Sequence, residues 1–243
     1  MTTPSPRSNI RVIIIEDHTL FADSLELALS LDGYDVRRVD LPTGHPSPAA
    51  LLSSVLRANP RIVLLDLDLG RLGDGSRLIA PLAKTGINVV VVTASADRAR
   101  WGECLRHGAR KVMSKARPLN ETLSTVRRIS KGLPVMDVAE REELIQLWRR
   151  DRAAQDELRA RLHRLTHREN EVLGNLLEGL TVRDIARLGY VSEATVRTQV
   201  KSILAKLEVS SQLAAVGLAH RVGWEPPSPA ERQLPADRRR SGS

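Results

Sequence analysis

The chain has 243 residues, enough for one or two domains. Its 37 Lys and Arg against 29 Asp and Glu give a net charge of +8, which favours an acidic partner such as nucleic acid. A single cysteine, Cys104, excludes a disulfide scaffold and zinc-finger spacing. No apolar run has transmembrane length and residues 1–9 contain no signal peptide, so we expect a cytoplasmic protein with no membrane contact.

Short apolar runs alternate with amphipathic stretches through the first half of the chain. Five runs predict strands: Ile10–Ile15, Val36–Val39, Ile62–Leu65, Val89–Val92 and Val112–Met113. The stretches between them predict helices: Thr19–Leu31, in which Leu20, Ser24, Leu27 and Leu31 follow the helical period, then Pro48–Ala58, Gly75–Ala83, Asp97–His107 and Leu119–Lys131. This alternation predicts a five-stranded, doubly wound parallel sheet, an α/β domain at residues 10–131.

Residues 137–165 contain neither Gly nor Pro and predict one long helix within a linker at 132–165. Its residues at heptad spacing are Leu144, Trp148, Asp151, Gln155, Leu158, Leu162 and Leu165. Because two polar residues interrupt this seam, two interpretations stay open: a helix packed on its neighbours, or a parallel coiled coil between subunits.

Four short helices are predicted at residues 166–224. Each begins at a residue suited to an N-cap: Thr166, Thr181, Ser192 and Ser210. Gly179 and Gly189 lie where helices are expected to end. We therefore expect an all-α domain here, followed by a disordered tail at 225–243 and preceded at the other end of the chain by a disordered segment at 1–9.

Polar residues follow the predicted strands of the first half. Glu16 and Asp17 follow the first strand, Asp66 follows the third, and Thr93 and Lys115 follow the fourth and fifth. The carboxyl ends of parallel strands form the edge where ligands bind, so we expect these residues to converge. Clustered carboxylates require a hard cation, which predicts Mg²⁺ at Asp17, Asp66 and a backbone carbonyl. Asp66 is then suited to attack a phosphoryl group, with Lys115 neutralising charge and Thr93 donating a hydrogen bond.

The set Glu16-Asp17, Asp66, Thr93-Ala94, Lys115 and Pro118 is similar to that of the receiver domain of two-component response regulators, over about residues 10–130. This resemblance implies that a sensor histidine kinase phosphorylates Asp66. It also implies Mg²⁺ binding at Asp17, at Asp66 and through the carbonyl of Asp68, with Glu16 in support. Receiver domains usually carry an aromatic residue three positions before the lysine, but here that position is Val112.

Asp66 and Asp68 also resemble the nucleophile motif of haloacid-dehalogenase-type phosphatases. In those enzymes the motif ends the first strand and further acids follow late in the sheet. Here Glu16 and Asp17 precede it on the first strand, and no cap-domain insertion is visible. We therefore expect a protein that is not an enzyme, with this phosphatase as a remote alternative.

Residues 181–207 have the spacing of a helix-turn-helix, with a short turn at 189–191. The exposed face of its second helix carries Arg197, Thr198, Lys201 and Ser202, which suit contacts in the DNA major groove. Residues 166–224 contain seven basic and six acidic residues, so their charge leaves an ordinary helical hairpin open.

Further matching positions are Thr166-His-Arg-Glu169, Glu178-Gly179, Ile185-Ala186, Val191-Ser192, Thr195-Val196 and Lys206-Leu207. Over about 55 residues this segment resembles the LuxR-type DNA-binding domain. The resemblance implies that Arg197, Thr198 and Lys201 face the groove, and that Thr195 or Lys206 touches phosphates. It also implies dimerisation through the last helix, with contacts at Gln212, Leu213 and Val216. Gln199 replaces a frequent His, and Ala214 replaces a common acidic residue.

The whole chain thus resembles a response regulator of the NarL/FixJ type. This resemblance implies a homodimer that binds double-stranded DNA and regulates transcription under the control of phosphorylation at Asp66. The alternative is an orphan regulator that binds DNA constitutively, dimerised by the helix at 137–165 and indifferent to phosphate.

Overall fold

The computed structural model describes residues 7, 9–39 and 47–226. The predicted disordered ends lie outside these residues except at Arg7, Asn9, Glu225 and Pro226. The chain divides into two compact units, the first ending at Arg150 and the second beginning at Asp151. Among the described residues no single helix is both long and apolar enough to cross a membrane; only the bent pair Glu193–Leu207 and Gln212–Arg221, taken together, reaches that length and hydropathy.

The first unit contains a five-stranded parallel sheet, as predicted. Its strands are β1 (Arg11–Ile15), β2 (Asp35–Arg38), β3 (Ile62–Leu65), β4 (Asn88–Thr93) and β5 (Lys111–Ser114). Their order in the sheet is β2-β1-β3-β4-β5, and every pair is parallel. The accompanying helices are α1 (Thr19–Leu31), α2 (Pro48–Ala58), α3 (Ile79–Lys84), α4 (Arg98–Arg106) and α5 (Leu119–Ser130).

Both faces of the sheet are buried. Successive strand residues point to opposite sides, so each strand contributes apolar side chains to both faces. Val12 and Ile14 pack with apolar residues of α1 and α5. Ile13 and Ile15 pack on the other side with residues of α2, α3 and α4. The continuous apolar runs of the sequence therefore supply two cores, one on each face.

The residues of α1 that pack against the sheet are not the ones that follow the helical period noted in the sequence. Leu20, Leu27 and Leu31 are exposed, with Leu20 at 82%. Three other residues of the helix, Ala22, Leu25 and Leu29, are buried against the sheet. The helix carries apolar residues on two faces, and periodicity alone does not select between them.

Helix α6 (Val138–Leu162) is one long helix, close to the predicted 137–165. Leu144 is buried in a core of the first unit. Leu162 and Leu165 are buried in the core of the second unit. Asp151, between them, is exposed. Apolar residues at both ends of the predicted seam are thus already covered within their own units.

The second unit contains α7 (His167–Leu177), α8 (Val182–Leu188), α9 (Glu193–Leu207) and α10 (Gln212–Arg221) around one apolar core. Thr166, Thr181 and Ser192 cap the first three helices as predicted. The last cap is Ser211 rather than Ser210, because the hydroxyl of Ser211 accepts the amide N–H of Ala214.

Gly179 and Gly189 lie at the helix ends, as predicted, and they differ in backbone conformation. Gly179 after α7 has φ +83°, the left-handed conformation common after helix ends. Gly189 ends α8 with φ −84°, and Tyr190 adopts the left-handed φ of 51° instead. The side chain of Tyr190 is 97% exposed at the turn between α8 and α9.

Candidate functional site

The carboxyl ends of the strands bring the predicted acidic residues together. Glu16 and Asp66 are buried directly after β1 and β3, and Asp17, which is exposed, lies beside Glu16. Ligand atoms of Glu16, Asp17, His18 and Asp66 all lie within 4.8 Å of one another. Parallel pairing of β1 with β3 produces this convergence, since Ile15 is in register with Leu65.

Lys115 reaches this cluster from the end of β5. Its Nζ lies 2.7 Å from Glu16 Oε1 and 2.7 Å from Asp66 Oδ2. Burial alone lowers the pKa of Lys115, but the hydrogen bonds to Asp66 and Glu16 outweigh burial and raise it above its usual value. The ammonium group therefore stays charged between the two carboxyl groups. Its Nζ also lies 5.3 Å from the ring centre of Phe21.

His18 was not among the predicted site residues. Its Nδ1 lies 2.8 Å from Asp17 Oδ1 and 3.1 Å from Glu16 Oε1, and its backbone N–H donates to Glu16 Oε1. Glu16 thus accepts bonds from both His18 and Lys115, which fixes its carboxyl group at the wall of the pocket. The position of His18 directly after the acidic pair was the one available signal in the sequence.

The loop after β3 folds closely over Asp66. Asp66 Oδ1 accepts the N–H of Leu67 at 2.6 Å. A Cβ at Gly75 would lie 2.2 Å from the carbonyl oxygen of Asp66, so this close approach requires glycine. The side chain of Asp68 is exposed and accepts the N–H of Gly70, and it is not part of the acidic cluster. For Asp68 only the backbone carbonyl remains the expected ligand.

Thr93 ends β4 and is buried. Its Oγ1 accepts the N–H of Ser95 at 3.1 Å, and its carbonyl oxygen accepts the N–H of Lys115 at 2.8 Å. Val112, on the neighbouring strand, is buried in the core that faces α4. Thr93 and Lys115 therefore lie at the same edge of the sheet as the acidic cluster, as the sequence predicts.

The donor set suits a hard divalent cation. Three carboxyl groups and the imidazole of His18 form the cluster, the ammonium group of Lys115 lies against two of the carboxyl groups, and carboxylate oxygens are the preferred ligands of Mg²⁺. A Cβ at Gly70 would lie 3.3 Å from Asp17 Oδ2, so the glycine keeps this carboxyl group uncrowded. The residues present therefore fit the Mg²⁺ site that receiver domains typically contain.

In the second unit, α9 exposes three of the four polar residues predicted for its outer face; the fourth, Ser202, is partly buried and donates its hydroxyl to Glu169 Oε1 at 2.6 Å. Arg197, Thr198 and Lys201 are exposed, while Val196 and Val200 are buried against the core. Arg197 Nη2 donates to Glu193 Oε2 at 2.9 Å, one turn earlier. The hydroxyl of Thr198 donates to the carbonyl oxygen of Ala194. The cations are thus on the face of α9 that is turned away from the core.

Two other predicted DNA contacts already have partners within the unit. The hydroxyl of Thr195 lies 2.8 Å from that of Ser192, the N-cap. Lys206 Nζ donates to Glu169 Oε2 at 2.6 Å and is partly buried. Lys206 therefore joins α9 to α7 through an ion pair, a contact that the sequence pattern does not indicate.

The residues predicted for dimerisation lie on one face of α10. Gln212 and Leu213 are exposed, Leu213 at 82%, and Val216 is partly buried. Ala215, Leu218 and Ala219 of the same helix are buried in the core beside this face.

Comparisons with known proteins find a family match in each of the two units. The model of the response regulator receiver domain matches residues 12–127, and that of the bacterial regulatory proteins of the luxR family matches 163–219. DegU of Brevibacillus brevis, a transcriptional regulatory protein, is 26% identical, covering 89% of this chain and 95% of DegU. NarL of Mycobacterium tuberculosis, a probable transcriptional regulatory protein, is 29% identical, covering 91% of this chain and 98% of NarL. A solved structure of the Salmonella typhimurium RcsB response regulator is 21% identical, covering 88% of this chain and 100% of that one, with a TM-score of 0.46.

A receiver fold with an acidic pocket and a helix-turn-helix define a two-component regulator. The two family models together match more than half of the chain. The chain belongs to the response regulators with a LuxR-type DNA-binding domain, the NarL type, and it is a DNA-binding regulator of transcription. Because this family consists of regulators rather than enzymes, the phosphatase alternative is excluded.

Proposed function

We propose that a sensor histidine kinase phosphorylates Asp66 and that this modification controls dimerisation and DNA binding. The observation that carries the proposal is the position of Asp66, buried at the sheet edge with Lys115 Nζ 2.7 Å from its Oδ2. A lysine this close offsets negative charge at the carboxyl group, both before and after a phosphoryl group is attached.

The transfer is balanced by the groups present. One carboxyl oxygen of Asp66 forms a bond to phosphorus while the bond between phosphorus and the kinase histidine breaks. The electron pair of that bond goes to the leaving imidazole nitrogen, which takes up a proton. Lys115 lies where it neutralises the phosphoryl oxygens, and the Thr93 hydroxyl donates to one of them.

Mg²⁺ would be held by Asp17, Asp66 and the carbonyl of Asp68, with Glu16 supporting the site from its contacts to Lys115 and His18. When bound, this ion supplies positive charge between the carboxyl groups and the incoming phosphoryl oxygens. Without added positive charge, the carboxyl groups of Asp17 and Asp66 repel a phosphate.

On DNA, we assign Arg197, Thr198 and Lys201 to the major groove and Thr195 to a phosphate. The support is their exposure on one face of α9, which a capped turn after α8 presents. We assign the homodimer contact to Gln212, Leu213 and Val216 on α10. We expect this action in the cytoplasm, because a regulator of transcription must reach the DNA that it binds.

The test is phosphorylation of the full chain by acetyl phosphate with Mg²⁺, followed by intact mass and sedimentation. Wild type should gain one phosphoryl group and shift towards dimer, and Asp66→Asn should do neither. Asp23→Asn is the matched control, because its exposed carboxyl group lies on α1 and is not in the cluster. Equal gain in wild type and Asp66→Asn would refute the assignment.

The orphan regulator remains the second candidate, and Val112 is the observation that favours it. A receiver without the usual aromatic residue at this position lacks that relay between the phosphoryl site and the surface. A dimer that binds DNA with wild-type affinity in both Asp66→Asn and untreated wild type would support this second function.

A further inference from the structure

The loop after β4 connects Thr93 to a tryptophan. The N–H of Ser95 donates to Thr93 Oγ1 at 3.1 Å, and the carbonyl oxygen of Ser95 accepts Trp101 Nε1 at 2.9 Å. Asp97 caps α4 in the same loop by accepting the N–H groups of Ala99 and Arg100. The backbone of Ser95 is therefore bonded on one side to Thr93, the residue proposed to bind the phosphoryl group, and on the other side to the indole of Trp101 on α4.

Helix α4 in turn touches the first part of α6, residues 138–150. A Cβ at Gly102 would lie 2.0 Å from the carbonyl oxygen of Leu144 and 3.0 Å from Cβ of Trp148. The two helix backbones therefore meet at Gly102, and no larger residue fits without separating them. Leu144 and Ile145 are buried in the same core as Val112, with Trp101 packed against it.

Polar contacts surround this apolar one. Arg141 donates to the carbonyl oxygens of Leu105 and Ala109, at 2.7 and 3.0 Å. Arg98 Nη2 lies 3.1 Å from Glu143 Oε1. The carbonyl oxygen of Leu105 also accepts the N–H of Gly108 at 3.2 Å in the last turn of α4, so Arg141 is a second donor to it at the end of this helix.

We propose that Trp101 is the positioning residue that links the phosphoryl site to α6, in place of an aromatic residue at position 112. When the Thr93 hydroxyl turns to a phosphoryl oxygen on Asp66, Ser95 loses its acceptor and the loop that Trp101 holds is released. The contact of α4 with residues 138–150 then weakens. This inference rests on the proposed phosphorylation of Asp66.

The direction of this coupling has a reciprocal consequence. If a phosphoryl group favours the undocked form of α6, then undocking α6 must favour the phosphoryl group by the same factor. Gly102→Ala separates the helices without touching the acidic pocket. It should therefore tighten binding of the phosphoryl mimic beryllium fluoride while loosening residues 138–150.

The experiment uses hydrogen exchange of the full chain with and without beryllium fluoride and Mg²⁺, with loading measured separately by fluorine NMR. In wild type, loading should speed exchange of amides 138–150 by about fivefold or more, the lower end of usual coupling factors. Trp101→Phe keeps an aromatic ring but removes the N–H donor, so it should load as wild type does and lose at least half of this acceleration. Trp224→Phe, in the second unit, is the matched control and should keep it.

Gly102→Ala should speed exchange at 138–150 without the mimic and lower the concentration needed for half loading. Its control is Gly217→Ala, a helical glycine with nothing within 4 Å of an added Cβ. Loading of wild type without faster exchange, or an equal acceleration in Trp101→Phe, would overturn the inference. If the wild type does not bind beryllium fluoride, both the proposed function and the role of Trp101 are overturned. Exchange in Gly102→Ala would then test only the contact between α4 and α6.

Discussion

Lys206 Nζ lies 2.6 Å from Oε2 of the buried Glu169, and this pair joins the recognition helix α9 to the start of α7. Glu169 also accepts the hydroxyl of Ser202 and the backbone N–H of Thr166, each at 2.6 Å. The carboxyl group of one capping box thus holds the helix that presents the DNA-contacting residues. Orientation of α9 and integrity of the α7 cap depend on the same group.

This network predicts a loss of stability in acid. Burial raises the pKa of Glu169, but the hydrogen bonds from Lys206, Ser202 and Thr166 outweigh burial and lower it to about 2. Because the folded pKa lies below the unfolded one, the stabilisation is full above the unfolded value, near 4.5, and disappears as the pH falls towards 2. It amounts to about 3 kcal/mol at most.

Hydrogen exchange of α7 and α9 amides, converted to opening free energies at pH 6 and pH 3, measures this loss. Glu169→Gln should be less stable at pH 6 and should lose most of the pH dependence. Glu178→Gln, an exposed glutamate in the same unit, should behave as wild type. An unchanged pH dependence in Glu169→Gln would contradict the role of this carboxyl group.

Removal of Lys115 should separate metal binding from phosphoryl transfer. The ammonium group occupies the space between Glu16 and Asp66, so Lys115→Met should bind Mg²⁺ more tightly, by about tenfold, as one competing positive charge disappears. Phosphorylation by acetyl phosphate should fall sharply. Calorimetry with Mg²⁺ and intact mass give the two values. Lys84→Met, an exposed lysine on α3, is the control, and weaker Mg²⁺ binding by Lys115→Met would refute the competition.

Arg197 and Lys201 should contribute differently to DNA binding. Alanine at either position should weaken binding to a duplex selected from a random pool by the wild type. Loss of a phosphate contact also reduces the slope of log affinity against log salt by about one unit. We expect that reduction for Lys201→Ala, whereas Arg197→Ala should chiefly relax sequence preference. Arg150→Ala, exposed and outside the second unit, is the control. Wild-type affinity in both variants would exclude α9 as the reading helix.

The exposed face of α10 predicts a dimer contact that a charge disrupts. Leu213→Asp should shift sedimentation of the phosphorylated protein from dimer to monomer. Its melting temperature should change little, because the side chain makes no core contact. Leu188→Asp provides a second exposed leucine in the same unit as control. If Leu213→Asp remains a dimer, the dimer contact is not on α10 and another surface forms it.

The sequence predicts the sheet of the first unit well, because strands buried on both faces are continuously apolar. The bounds of α1 and α2 and the convergence of Asp66 and Lys115 follow from local pattern and parallel order. Gly75–Leu78 was expected to begin an α-helix, but it is a 3₁₀ turn in which Gly75 approaches the carbonyl of Asp66. The 3₁₀ turn depends on the contact between Gly75 and Asp66, and hydrophobic periodicity carries no information about that contact.

Contacts between side chains far apart in sequence are the part that the pattern could not predict. Lys206 pairs with a residue 37 positions earlier, and no spacing rule relates the two. Trp101 was one scarce aromatic residue in a helix, without any sign that its indole would hold Ser95. Leu20 and Leu25 are chemically the same, and only docking on the sheet decides which of them is buried.

Cys104 is fully buried on α4, and burial raises the pKa of its thiol to about 12. A thiol reacts with alkylating reagents as the thiolate and only where a reagent can reach it. Cys104 is therefore protected from alkylation in the folded chain. A reagent can modify Cys104 only when this side of the receiver opens, so the rate of modification reports the frequency of opening. The rate of alkylation of Cys104 therefore measures how often α4 moves away from the core.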